Sequence, residues 1–301
     1  MTRSDQNNSP RPKTRRIIFN PSHAREKFAL CERSGYNAER YDRNGVLTMY
    51  FDTHAHYDDK AFDADRDTLL PALTAEGVDF VIDPGCDIAS SRAALAIADK
   101  YAHVYAAVGL HPEELESVTV DSVGELRMLA AHPKCVAIGE IGLDYYWDDS
   151  HKEEQKALLR AQLELALEMD KPVIIHDREA HADCFAAVCG YSALRGVFHC
   201  YSGSAEMAAE LLKRGWYLGF DGPITYKNAR RAIEVLEICP LERILIETDS
   251  PYLSPVPMRG RRNDSRNIRY IVEKIAEVKE LAPEAVAAAA LQNGKTLFNI
   301  R

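Results

Sequence analysis

CVAIGEIGLDYYWDDSHKEEQKALLRAQLELALEMDKPVIIH, residues 135–176, holds the pattern on which the fold turns. An apolar run at 135–140 gives way to polar and aromatic residues, then to a long amphipathic stretch at 151–170, then to a second apolar run at 173–176. Within the middle stretch Ala157, Leu158, Ala161, Leu165 and Leu167 recur between Lys and Glu, the broad apolar stripe that a helix turns toward a sheet. Strand, helix, strand in that order is a βαβ unit with parallel strands.

The same alternation extends both ways. Apolar runs at 49–54, 78–82 and 104–108 precede the quoted stretch, and runs at 196–199, 216–220 and 244–247 follow it, which makes eight strands. Helical stretches at 268–278 and 283–297 complete the series. Eight strand-helix units in residues 49–301 predict an α/β fold of the (β/α)8 TIM barrel type, for which about 250 residues is typical. The competing doubly wound sheet finds no Gly-x-Gly-x-x-Gly after the first run and no P-loop Lys-Ser/Thr pair.

Residues 1–48 read differently. They are polar, with Ser, Asn, Pro and Arg at the start and one short apolar break at Ile17, Ile18 and Phe19, and they are expected to form a poorly packed, basic N-terminal extension. Asp5, Glu26, Glu32, Glu39 and Asp42 argue against a transit peptide, and a start of translation at Met49 is an alternative reading of the same segment. This segment holds 10 basic and 5 acidic residues of a chain with 37 Lys+Arg and 46 Asp+Glu, so the body carries a net charge of −14. A body that acidic excludes polyanion binding by a broad basic face; a nucleic-acid partner requires metal ions or a local basic patch. Seven cysteines with no Cys-x-x-Cys pair and no secretory h-region predict reduced thiols in a cytoplasmic protein. No apolar run approaches the ~18 residues of a membrane span, so no membrane association is expected.

Histidine and acidic residues fall at the ends of the runs. The first ends in Asp52-Thr53-His54-Ala55-His56, the fourth in Gly139-Glu140, the fifth in His176, the sixth in His199 and the eighth in Glu247-Thr248-Asp249. In a barrel these C-terminal ends converge on the face where active sites lie. His54 and His56, two apart in an extended strand, project to one side. With Glu140, His176, His199 and Asp249 they exceed one four-coordinate site and point to two or three divalent ions. His23, His103, His132, His151 and His181 lie away from these ends and receive no ligand role. Lys227 and Arg230 after the seventh run, with Arg259, Arg261 and Arg262 after the eighth, would form a local basic funnel suited to one strand end. Tyr145, Tyr146, Trp147 and Tyr201 stand where a base could stack.

Seven stretches carry a family resemblance: FDTHAHYDD (51–59), VGLHPE (108–113), AIGEIGLDYY (137–146), KPVIIHDREA (171–180), FHCYSGS (198–204), YLGFDGPITYKNA (217–229) and ETDSPYLSPVPMRGRRN (247–263). In this order they resemble the TatD family of metal-dependent deoxyribonucleases, a branch of the amidohydrolase-like barrel superfamily. The resemblance implies that His54, His56 and Asp249 bind one metal, that Glu140 bridges, and that His176 and His199 hold a second. It implies contact of His111 with the substrate phosphate and places Arg178 near the scissile group. Lys227 and Arg261 are the further expected substrate contacts. Ala55, Met258 and Ser250 depart slightly from the family pattern, and none of these removes an expected ligand.

The activity so implied is divalent-metal-dependent phosphodiester hydrolysis by a 3′ to 5′ exodeoxyribonuclease on single-stranded DNA ends, extending to RNA. Asp249 is the expected proton acceptor and Glu140 the residue that spaces the metals; His111 and Arg178 neutralise phosphoryl charge. The imidazoles favour Zn or Mn, while the carboxylates and phosphate chemistry accept Mg. The partner expected is nucleic acid, with no obligatory protein partner. Hydrolysis of another ester or amide on the same centre, such as aminoacyl-tRNA deacylation, is the alternative. A carbamylated-Lys amidase is disfavoured because Glu140, not Lys, ends the fourth run. A non-catalytic metal or nucleic-acid binder is the rival from another class.

Overall fold

The computed structural model describes residues 48–147 and 149–301. The extension expected over residues 1–48 therefore lies, apart from Thr48, outside the described residues.

Eight strands form in the expected order: β1 (Tyr50–Asp52), β2 (Val78–Pro84), β3 (Val104–Val108), β4 (Cys135–Asp144), β5 (Val173–Arg178), β6 (Gly196–Phe198), β7 (Tyr217–Phe220) and β8 (Ile244–Ile246). Each pairs in parallel with the next. The ring closes between its first and last members, where Thr53 donates to Ile246 O at 3.2 Å, His56 donates to Ser250 O at 2.7 Å, and Ala55 and Ser250 bridge in parallel. Helices α1 (Arg66–Ala75), α2 (Ile88–Lys100), α3 (Val123–Ala130), α4 (Lys152–Glu168), α5 (His181–Cys189), α6 (Ala205–Lys213), α7 (Arg230–Ile238), α8 (Ile268–Lys279) and α9 (Pro283–Phe298) follow the strands. The protein is a TIM barrel.

Local sequence explains where these elements start. Asp87 caps α2 by accepting from Ser90 N–H while Ser90 Oγ accepts from Asp87 N–H, a capping box. Pro283 opens α9 at a first-turn position, where its missing N–H costs nothing.

The barrel interior draws one buried residue from every strand: Phe51, Ile82, Ala107, Ala137, Ile174, Val197, Tyr217 and Leu245. Leu297, Phe298 and Ile300 pack into the same cluster from the chain's end. A larger apolar layer lies between the sheet and its helices. The centre is thus a packed plug, and the chemistry is confined to the C-terminal mouth.

Two details differ from the sequence-based pattern. β4 was expected to end at Glu140, but it continues to Asp144 through a bulge: Ile138 pairs with Val173 and Ile141 with Ile175, leaving one extra residue on β4. Bulges re-aim side chains, and alternation of residue types does not reveal them. β5 likewise runs past His176 to Arg178. The second difference lies on α4, where Ala157 is exposed and Gln155 and Gln162 are buried beside Leu158, Leu159, Leu163, Leu165 and Ala166. Gln155 donates to Asp144 O at 2.8 Å and accepts from Asp144 N–H at 2.9 Å. Gln162 does the same for Leu110, at 3.0 and 2.7 Å. These amides stand in for missing ladder partners and fix two segments of the mouth.

Candidate metal centre

All six expected ligands meet at the mouth, around Glu140. Its Oε2 lies 3.3 Å from His54 Nε2 and 3.7 Å from His56 Nε2. Its Oε1 lies 2.8 Å from His176 Nδ1, 2.9 Å from His199 Nε2 and 3.6 Å from His111 Nε2. One carboxylate thus presents a different oxygen to each of two imidazole sets. The bulge and the strand neighbours make room for it. A Cβ at Gly142 would fall 1.9 Å from His176 O, so only glycine allows β4 and β5 this close beside the site.

The first set has the spacing of a metal shell. His54 Nε2 and His56 Nε2 are 3.1 Å apart, and each is 3.6 Å from Asp249 Oδ1. Four donors about 2.1 Å from one Zn-like ion in a tetrahedron stand about 3.4 Å from one another. All the separations in this set lie near that value. His54 Nδ1 is buried without a hydrogen-bond partner, so its outer nitrogen is left unsatisfied. His56 Nδ1 faces Pro84 O at 3.1 Å, which orients that ring.

The second set is His176 and His199 on Glu140 Oε1. His176 Nε2 is 3.0 Å from Asp144 Oδ2, and His199 Nδ1 is 3.4 Å from Glu247 Oε1 without hydrogen-bond alignment. Glu247 is fully buried, accepts from Cys200 N–H, and lies 3.4 Å from Thr53 Oγ1. A Cβ on Gly219 would come within 2.5 Å of Glu247 Oε1, so the missing side chain is the space this carboxylate fills. Glu113, Asp144 and His176 form a further group whose donor atoms lie within 4.8 Å of one another, as do His56, Cys86 and Glu140.

Electrostatics follow from this crowding. Burial would raise Glu140, but His199, His54 and His111 hold it well below the usual carboxylate range. Burial likewise opposes ionisation of Asp249, which His56 keeps low. Burial and the nearby His199 push His54 down. His176 is lifted, against burial, to about 9 by Asp144 and Glu140; His199 is lifted by Glu140 and Glu247, and His56 by Asp249. Protons here take the place of cations among carboxylates, and the buried donor set fits divalent ions.

His111 also joins the cluster, its ring edge-on to His176 at 4.4 Å between centroids. Arg178 is exposed and lies over the rings of Tyr146 at 4.0 Å and Trp147 at 5.3 Å. Lys227 and Arg261 are exposed on the loops after β7 and β8 and make no ion pair with the cluster among the described residues. Of the other rim residues, Arg262 pairs with Asp65 at 2.6 Å, Arg230, its side chain 91% exposed, pairs with Glu234 at 2.9 Å, and the buried Tyr201 donates to Ser204 O at 2.9 Å. Sequence reasoning assigned no role to Asp144, Cys86 or the two α4 glutamines. The signal for Asp144 was its place two residues beyond Gly142 in the quoted stretch, visible once β4 is extended.

A TIM barrel whose mouth gathers buried imidazoles around carboxylates defines a metal-dependent hydrolase. The chain belongs to the TatD related DNase family, whose model matches residues 51–299. It is 42% identical over 254 residues to the Bacillus subtilis (strain 168) protein named uncharacterized metal-dependent hydrolase YabD, covering 84% of this chain and all of that one. It is 35% identical to the Cronobacter turicensis protein named 3′-5′ ssDNA/RNA exonuclease TatD, covering 82% and 97%. The crystal structure of the TatD homologue YjjV from Escherichia coli K12 superposes with a TM-score of 0.79 at 33% identity, covering 84% of this chain and 98% of that one. Among the described residues no helix is long and apolar enough to cross a membrane.

Proposed function

We propose that this hydrolase cleaves phosphodiesters with two divalent ions, removing nucleotides from the 3′ ends of single-stranded DNA or RNA. The observation that carries the reading is the division of the Glu140 carboxylate, Oε2 toward His54 and His56 and Oε1 toward His176 and His199. His54, His56 and Asp249 would hold one ion, His176 and His199 the other, with Glu140 between. Bound there, Mg, Mn or Zn supplies Lewis acidity, which lowers the pKa of a water and offsets phosphoryl charge. The name of the Cronobacter relative supports a nucleic-acid substrate.

The chain's own groups divide the remaining work. Asp249, kept ionised by His56, accepts the proton of the attacking water. A new P–O bond forms, the bond to the 3′ oxygen of the penultimate sugar breaks, and that oxygen takes its proton from solvent water at the open mouth. His111, beside Glu140, donates to a phosphoryl oxygen, and Arg178 adds positive charge at the rim.

The test incubates metal-reconstituted protein with 5′-labelled single-stranded DNA, RNA and duplex. Ladders shortening from the 3′ end, abolished by a chelator, are expected. Glu140→Ala and Asp249→Ala are expected to lose the ladder and bound metal while keeping the far-ultraviolet dichroism of the wild type. Full activity in either variant, or hydrolysis of aminoacyl esters with none of oligonucleotides, overturns the assignment.

A further inference from the structure

The charges of the mouth are segregated. The ring order places the loops after β3 and β4 across the barrel from those after β7 and β8. On the β7–β8 side stand Lys227, Arg231, Arg259 and Arg261. On the β3–β4 side residues 109–122 contain four acids and no Lys or Arg. There a cavity of about 620 Å³ opens, reaching from Asp144, which touches His176, outward between the segment after β3 and the start of α4. Its floor includes Val118 and Leu158, its wall includes Trp147, 63% exposed with the Arg178 guanidinium 5.3 Å from its ring centroid, and its rim carries Glu113, Glu116 and Glu154, the last 3.8 Å from His151 Nδ1. The first two lysines of α4 are engaged elsewhere: Lys152 with Asp149 at 3.3 Å and Lys156 with Asp183 at 2.8 Å.

We infer that this cavity receives the terminal nucleoside of the strand and refuses any strand that continues with a phosphate beyond it. The inference rests on the proposed nuclease reading and deepens it. A volume of this size is in the range of small-molecule pockets, about 300–1,000 Å³. A base has an apolar face to lay on Trp147, as single-strand binding proteins use. The last nucleoside of a 3′ end carries a hydroxyl where an internal one carries a phosphate. Three carboxylates outnumber the guanidinium of Arg178 beside the cavity and repel that phosphate, while the phosphates upstream of the scissile bond run toward the basic loops across the mouth. The segregation thus selects ends over internal sites and sets the direction in which the strand lies.

Two measurements test this. The first compares digestion of one oligonucleotide ending in a 3′ hydroxyl with the same oligonucleotide ending in a 3′ phosphate. The wild type is expected to prefer the hydroxyl by at least about tenfold in kcat/KM. Glu116→Gln/Glu154→Gln should shrink that ratio severalfold, and Trp147→Ala should raise KM for the hydroxyl end more than it lowers kcat. The second is calorimetric binding of deoxyadenosine 5′-phosphate against deoxyadenosine 3′,5′-bisphosphate, with the same preference and the same loss of it in the double Gln variant. Digestion without discrimination between the two ends overturns the pocket and leaves the nuclease standing. Failure to digest any oligonucleotide overturns both.

Discussion

At the scale of single residues the centre is a contest between protons and metal ions. His56, His176 and His199 hold protons more firmly than free imidazole because carboxylates face them. A metal binds only the deprotonated rings, so binding to chelator-treated protein releases protons and tightens as pH rises from about 6 to about 9. Titrations with Mn in a series of buffers check this; an affinity indifferent to pH contradicts it. Glu247 gives a second residue-scale expectation, because it stands behind His199 as an outer carboxylate. On the two-ion proposal, Glu247→Gln is expected to weaken the ion held by His199 about 10–100-fold and leave the other, which metal-to-protein stoichiometry distinguishes from general misfolding. His54 and His56 were legible in the sequence because spacing by two fixes them on one side of an extended segment. Glu247 stood in the same motif as Asp249, yet its work depends on a distance across strands that spacing cannot encode.

At the scale of elements the instructive one is α4. Its apolar stripe predicted a helix correctly, but the residues with the most specific task are Gln155 and Gln162, seven apart on the buried face. Polar residues within a stripe read as its edge, and only the backbone groups of Asp144 and Leu110 show why these two are inside. Gln155→Leu would leave the N–H and C=O of Asp144 without partners, each costing about 1–3 kcal/mol. The expected outcome is a lower urea midpoint together with reduced kcat, since Asp144 then holds His176 less firmly. An unchanged midpoint would show that water replaces the amide. The bulge in β4 escaped the sequence for a related reason: Gly139 and Gly142 bracket it, but glycine alone marks neither its place nor its direction.

For the whole molecule, strand order and count were plain in the chain, because each apolar run is short, flanked by turn residues and spaced by a helix. Which charges of the mouth remain free was not plain. Arg262 and Arg259 look alike in sequence, yet one is spent on Asp65 and the other lies 4.1 Å over the Tyr226 ring. Because the plug and the outer apolar layer contain none of the six residues of the candidate metal centre, removing metal is expected to leave a cooperative fold. Chelation is expected to lower Tm without abolishing the transition, and adding Mn back to restore it, as for any ligand bound only by the native state. Loss of the transition on chelation would instead make the metals part of the core.

The closure of β8 onto β1 also bears on how the protein is made. Thr53 and Glu247, which meet at that seam, are 194 residues apart, and the candidate ligands His54, His56 and Asp249 flank them. A chain emerging from the ribosome carries both histidines early and lacks their acidic partner until almost all of it has been synthesised. Half-finished copies therefore lack both Asp249 and the β1–β8 seam that brings it within 3.6 Å of the two histidines.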